Sequence, residues 1–176
     1  MTRPFVSLYI ATSLDGQIAG RDGGLDWLPQ VAANGEDYGY NAFYAGVDAL
    51  VMGRSTYVQA AGMGDWPYAG KPSYVYTHKE INTGRDDIFC TDVPAAQLLD
   101  ELQAAGHRKV WLVGGANTAR QWLQARLVDE IILTLVPVIL GEGIPLFSSL
   151  PPLRLKLADS RAYPDGLVQL HYLKPD

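Results

Sequence analysis

Two stretches of the chain set glycine between an apolar strand and the expected start of a helix. They are Val51-Met52-Gly53-Arg54-Ser55-Thr56 and Leu112-Val113-Gly114-Gly115-Ala116-Asn117-Thr118. Glycine lets the backbone approach a ligand closely, and the first N–H groups of a helix are unpaired and partly positive. Each junction can therefore hold phosphate oxygens, and Arg54 adds a forked cation at the first. The bland alternative is that these glycines serve tight turns only. Neither stretch fits G-x-G-x-x-G or G-x-x-x-x-G-K-[ST], so no Rossmann fingerprint or Walker loop is supported. A third feature is Asp37, in a short helix expected over Glu36 to Ala45, where Asp37, Tyr40, Asn41 and Tyr44 share one face. A carboxylate half-buried among aromatics can have a raised pKa and assist protonation. Equally, an acid in a first helical turn, Glu36 included, stabilises the helix dipole and need do nothing else.

The elements that must position these groups follow from pattern. Phe5 to Ala11 is a short apolar, β-branched run that suits a central strand buried on both faces. Glycines 16, 20, 23 and 24 and Pro29 mark a long connection of the kind that often carries function. Strands are expected at Asp48 to Met52, Ser73 to Thr77 and Val110 to Val113. Helices follow from Ser55, as N-cap, to Ala61, after an Asp92 cap, and from about Asn117 to Ala125. Ala95, Leu98, Leu99 and Leu102 form one apolar stripe, ended by Gly106. From Glu130 the pattern turns to strands, with a turn at Pro164-Asp165-Gly166 between Leu153 to Ala162 and Leu167 to Leu173. The expected fold is α/β, with a largely parallel sheet and an antiparallel C-terminal edge.

At 176 residues, 48% hydrophobic and 19% charged, the chain is the size of one domain, 1–176, with a sufficient core. A net charge of −5 argues against a broad basic surface for nucleic acid or anionic lipid. Its longest apolar stretch, Ile131 to Leu140, is too short to span a bilayer. No targeting segment is visible, and the lone Cys90 with three scattered histidines offers no disulfide or zinc spacing. No metal is expected, a small molecule is the expected partner, and a cytoplasmic compartment fits. The apolar segment from Ile131 to Leu140 and that ending at Phe147 read as an edge that a second copy would cover, so a homodimer is expected.

The ordered set Ser13-Leu14-Asp15-Gly16-Gln17-Ile18-Ala19, Trp27-Leu28-Pro29, Val51-Met52-Gly53-Arg54, Val113-Gly114-Gly115, Asp129-Glu130 to Thr134 and Pro137 to Gly141 resembles the dihydrofolate reductase-like superfamily. More narrowly it resembles the reductase domain of the bifunctional riboflavin-biosynthesis deaminase-reductase. That resemblance implies a three-layer α/β/α fold on a mainly parallel eight-stranded sheet, with NADPH as cofactor and hydride passed to a ring or imine carbon. It implies that Gly53, Arg54, Ser55 and Thr56 hold the pyrophosphate and adenosine side. Thr77 and His78, with Lys79 beside them, would read the 2′-phosphate, and Gly114, Gly115, Ala116, Asn117 and Thr118 would form the second phosphate junction. Thr12 to Ala19 would be a mobile loop over the nicotinamide, with Thr12 and Ile18 at the cofactor and Asp15 at the substrate. Asp37 would be the catalytic substrate carboxylate, with Thr134 as its supporting hydroxyl.

The resemblance implies an oxidoreductase of the 5-amino-6-(5-phosphoribosylamino)uracil reductase-like branch, acting on a pyrimidine, pterin-like or related small imine or carbonyl compound. Lys71 stands where folate reductases carry a tail-binding arginine, and a lysine lacks the planar two-pronged grip on a carboxylate. A true dihydrofolate reductase and a non-catalytic nucleotide-binding dimer module are the alternatives.

Overall fold

The computed structural model describes residues 2–29 and 35–175. In chain order the elements are β1 (Phe5–Ser13), β2 (Gln17–Ala19), α1 (Tyr40–Ala45), β3 (Ala49–Gly53), α2 (Arg54–Gly62), β4 (Ser73–Tyr76) and β5 (Ile88–Thr91). They continue as α3 (Ala95–Ala104), β6 (Lys109–Gly114), α4 (Ala116–Gln124), β7 (Glu130–Val136), β8 (Ile144–Pro145), β9 (Lys156–Ala162) and β10 (Val168–Leu173). An eight-stranded sheet has the order β5-β4-β3-β6-β1-β7-β10-β9, and β2 pairs with β8 in a separate ribbon. The strands from β5 to β7 are mutually parallel, whereas β10 runs antiparallel to both β7 and β9. The expected central β1, mainly parallel sheet and antiparallel C-terminal edge are all present.

Strand alternation sends side chains to two different cores. Val6 and Leu8 of β1 meet Leu98, Leu99 and Leu102 of α3 and Trp122 of α4 on one face. On the other face Tyr9 stacks on Phe43 of α1, with ring centroids 4.5 Å apart, and meets Trp111 edge-on. The stripe on α3 is buried as its spacing requires, and Gly106, at φ +86°, ends that helix.

Several expectations are corrected. The helix expected from Glu36 begins at Tyr40, because Tyr38 (φ +53°) and Gly39 (φ +80°) are left-handed and cannot belong to a right-handed helix. Asp37 therefore precedes α1. Ser55 is the second residue of α2, with Gly53 in the capping position, and Pro94 rather than Asp92 stands before α3. Ile131 to Leu140 is no edge: β7 is hydrogen-bonded on one side to β1 and on the other to β10. The margin on that side of the sheet is β9, which carries Lys156, Asp159 and Arg161 among its exposed residues, and charges on an edge strand oppose further pairing.

A polar cluster lies under β7. Glu130, buried at 6% exposure, accepts hydrogen bonds from the Ser7 hydroxyl and from Lys109 Nζ at 3.2 Å, and pairs with His171 Nε2 at 2.8 Å. Burial alone would raise its pKa, but Ser7, Lys109 and His171 together hold it below the usual carboxylate value. Glu130→Gln is expected to lower stability by roughly 2 kcal/mol near pH 7, less than for a wholly buried pair, because Lys109 and His171 each stay about one-third exposed. A depressed folded pKa contributes stability above the unfolded carboxylate range and loses it as pH falls through the folded value. Urea melts of the parent and Glu130→Gln should therefore differ at neutrality and converge in acid.

Candidate active site

The chain steps outward from β3 to β4 and β5, whereas β6 crosses over β1 to reach β7. The crossovers diverge between β3 and β6, and in open α/β sheets ligands bind outside the carboxyl ends of the strands at such a point. Both glycine junctions sit there, since Met52 of β3 is opposite Gly114 of β6. α2 starts at Arg54 and α4 at Ala116, so the N–H groups of two nine-residue helices converge on one region.

Between them lies a groove of about 1070 Å³. That is just above the roughly 300–1,000 Å³ typical of small-molecule pockets. Gly53, Arg54, Ser55 and Thr56 line one side, and Gly115, Ala116, Asn117 and Thr118 the other. Ile18 of β2 and Thr77 and His78 after β4 complete it. Thus eleven of the thirteen residues expected at a cofactor share one groove; Gly114 and Thr12 are buried and do not line it. Gly114, at φ +134°, would set a Cβ 3.1 Å from Ile10 Cδ1. Gly53 is held close to α4, where an added Cβ would come within 2.8 Å of Thr118 Oγ1. Thr12 is 1% exposed on the face shared with Leu8 and Ile10, and its hydroxyl has no hydrogen-bond partner among the described residues. The β1–β6 ladder stops at Leu8–Leu112, whereas β1 runs on to Ser13. An orphaned hydroxyl at the end of a central strand is the kind of group a ligand amide satisfies.

The groove also contains residues that motif reading did not single out. Tyr76 ends β4, and burial pushes its phenol up to about 12, keeping it a hydrogen-bond donor. Asp92, Val93 and Pro94 of the β5–α3 connection form a wall. Their signal was their place after a parallel strand. Gln59 of α2 donates from Nε2 to the Gly23 carbonyl at 2.5 Å, clasping the 20–24 turn against the groove. The Thr77 hydroxyl is engaged locally, donating to the Lys79 carbonyl at 2.8 Å. Arg54 is exposed and makes no hydrogen bond to a described residue, leaving its guanidinium available.

On the substrate side the structure gives each of the expected residues partners of its own. Asp15 ties two loops together, accepting from Ser13 Oγ at 2.6 Å and from the N–H groups of Leu140 at 3.1 Å and Gly141 at 2.8 Å. Those bonds lower its pKa. The Thr12 to Ala19 segment is thus latched to residues 138–146 rather than hanging free, and the β2–β8 ladder continues the latch. Asp37 accepts from the N–H groups of Asn41 at 3.1 Å and Gly39 at 3.0 Å, holding the start of α1. These bonds, led by that from Asn41, lower its pKa, the opposite of the expected rise. Thr134 accepts from Gln169 Nε2 at 3.1 Å and does not support Asp37. Gln169 also donates to the Tyr38 carbonyl at 3.1 Å, as does the Tyr9 hydroxyl, also at 3.1 Å. None of Asp15, Asp37 and Thr134 lines the groove.

Lys71 is likewise committed. Its ammonium donates to the carbonyls of Tyr44, at 2.7 Å, and Val47, and sits 4.4 Å from the Tyr44 ring centroid. It closes the end of α1 and is not free to grip a substrate carboxylate. Arg21 pairs with Glu142, and Arg120 donates to Asn117 Oδ1. Among the described residues no helix is long and apolar enough to cross a membrane.

The family model for the RibD C-terminal domain matches residues 4–169. The Bacillus subtilis protein YwjB, itself uncharacterized, is 36% identical over 169 residues, covering 95% of this chain and 96% of its own. A crystal structure from Shewanella sp. PV-4, provisionally described as a riboflavin biosynthesis protein, is 34% identical with a TM-score of 0.89, covering 98% of this chain and 99% of its own. The riboflavin biosynthesis reductase Rib7 of Saccharomyces cerevisiae shares the fold at 19% identity and a TM-score of 0.65, covering 98% and 90%.

Proposed function

The chain belongs to the RibD C-terminal domain family, and from that premise we propose that it is an NADPH-dependent reductase of a pyrimidine, pterin-like or related small imine or carbonyl compound. One observation carries the reading: two helix N-termini, each preceded by glycine, open into one groove at the crossover point of the sheet. That is the arrangement a dinucleotide pyrophosphate requires.

The residues present fit NADPH. Gly53 and Gly115 let the backbone of both junctions come close to phosphate oxygens, and Arg54 supplies a free cation. His78, which also lines the groove, would favour the 2′-phosphate that distinguishes NADPH from NADH. The buried Thr12 hydroxyl, with no partner among the described residues, fits the carboxamide end. When bound, the cofactor supplies the hydride. The chain's part is to hold the ring, exclude water through the latched 12–24 segment, and present the substrate beside β1. Asp37, ionised and bonded to backbone, serves there as a hydrogen-bond acceptor rather than a proton donor.

Lys71 being occupied at α1 removes the contact that a folate tail would need, which favours the riboflavin-like branch over a dihydrofolate reductase. A cytoplasmic location and pairing of two copies complete the reading. Since β7 is interior, such pairing would use the sheet surface at β9, where Leu157 is exposed. Sedimentation at micromolar concentration that finds only monomer would remove it.

Calorimetric titration with NADPH and with NADH tests the central proposal. NADPH should bind at least tenfold tighter than NADH, with Arg54→Ala weakening NADPH by about 1–3 kcal/mol. No binding of either nucleotide would overturn it and leave a non-catalytic module.

A further inference from the structure

At the opposite pole, where the parallel strands begin, α4 ends beside a cavity of about 430 Å³. Its floor is apolar, formed by Leu123, Val128 and Ile131, all buried. Three cations, Arg126, Arg154 and Lys174, stand around it. The Asp129 carboxylate is already committed to Arg3 and to the Val6 N–H, and Lys174 Nζ holds the Arg126 carbonyl at 3.0 Å. The guanidinium groups of Arg126 and Arg154 make no hydrogen bond to a described residue. In a chain of net charge −5, such a grouping of cations over an apolar floor is not background.

The backbone adds an independent observation. α4 closes with Arg126 N–H donating to Leu123 O and Leu127 N–H to Trp122 O, both 3.0 Å. This cap needs a left-handed residue after the helix, where glycine is the usual occupant. α3 closes in the same way, with Gly106 N–H to Gln103 O and His107 N–H to Leu102 O, and there the left-handed residue is glycine. On α4 it is Arg126, at φ +56°, a bulky cation held in a strained conformation at the cavity rim.

We propose that this cavity binds a small amphipathic anion, an apolar body carrying one carboxylate, sulfonate or phosphate. The body lies on the Leu123, Val128 and Ile131 floor, and the head group meets Arg126 and Arg154. The site is remote from the cofactor groove and does not depend on the reading given for it.

The test is fluorescence titration of the full chain with 8-anilinonaphthalene-1-sulfonate, alone and with saturating NADPH. Expected is saturable binding of one dye per chain, unchanged by NADPH. Its Kd should rise at least fivefold in Arg126→Gly and in Arg154→Ala. N-phenyl-1-naphthylamine, which lacks the sulfonate, should bind at least tenfold more weakly. Arg126→Gly keeps the helix cap and relieves its strain, so its Tm should be no lower than the parent's, and lost dye binding could not be ascribed to unfolding. Equal dye affinity in both variants, displacement by NADPH, or dye excluded by a dimer seen in sedimentation would each overturn the proposal.

Discussion

Gly143→Ala is expected to lower stability by about 2 to 3 kcal/mol, a Tm fall of roughly 5 to 10 °C, and to weaken NADPH binding at least tenfold. The added Cβ would lie 2.4 Å from the Ala19 carbonyl oxygen, with Gln17 Cβ and Cγ at 3.2 and 3.3 Å. A backbone oxygen cannot rotate aside, so β2 and β8 must separate. Ile18, Ala19 and Ile144 all line the groove, and its wall moves with them. Gly141→Ala is the control: at φ +75° with open space around it, only the left-handed backbone penalty of about 1 kcal/mol applies. Thermal melts and nucleotide titration of the two variants decide the matter. If Gly143→Ala behaved like Gly141→Ala, the ribbon would not be the rigid wall described.

Gly53→Ala should act on the groove from its opposite side, weakening NADPH at least tenfold while lowering stability by only about 1 to 2 kcal/mol. Thr118 is 4% exposed, so its Oγ1, 2.8 Å from the new Cβ, must give way by a side-chain rotation inside a packed site or by a shift of the first turn of α4. The double variant Gly53→Ala/Thr118→Ala removes that collision. Stability should recover in part, giving a coupling above about 0.5 kcal/mol. Affinity should stay low, because the methyl still fills the approach to the junction and the threonine hydroxyl is gone. Unchanged NADPH affinity in the single variant would take Gly53 out of the phosphate site.

Residues whose role rests on local backbone were legible. A glycine between an apolar strand and a helix start is a property of six or seven consecutive residues, and both junctions lie where that pattern puts them. The stripe on α3 and the switch to antiparallel strands after Glu130 were readable for the same reason. Helix starts were less so: Tyr38 gives no sign that it will take a positive φ, and that conformation moves Asp37 out of α1. The edge argument failed because an apolar run suits a strand paired on both sides as well as one awaiting a partner. Only the sheet order places β10 against β7.

The sequence by itself determined the fold class, the family resemblance and the two strand-glycine-helix junctions, since each depends on short-range periodicity and on glycine's missing side chain. Tertiary structure alone decided what the polar side chains do. Asp15 binds the N–H groups of residues 125 and 126 positions away, and Lys71 takes carbonyls from the end of α1. Thr134 meets Gln169 across strands. A carboxylate, ammonium or hydroxyl carries no record in its own neighbourhood of which distant segment will desolvate it and supply its partner. Packing of the whole chain makes that choice.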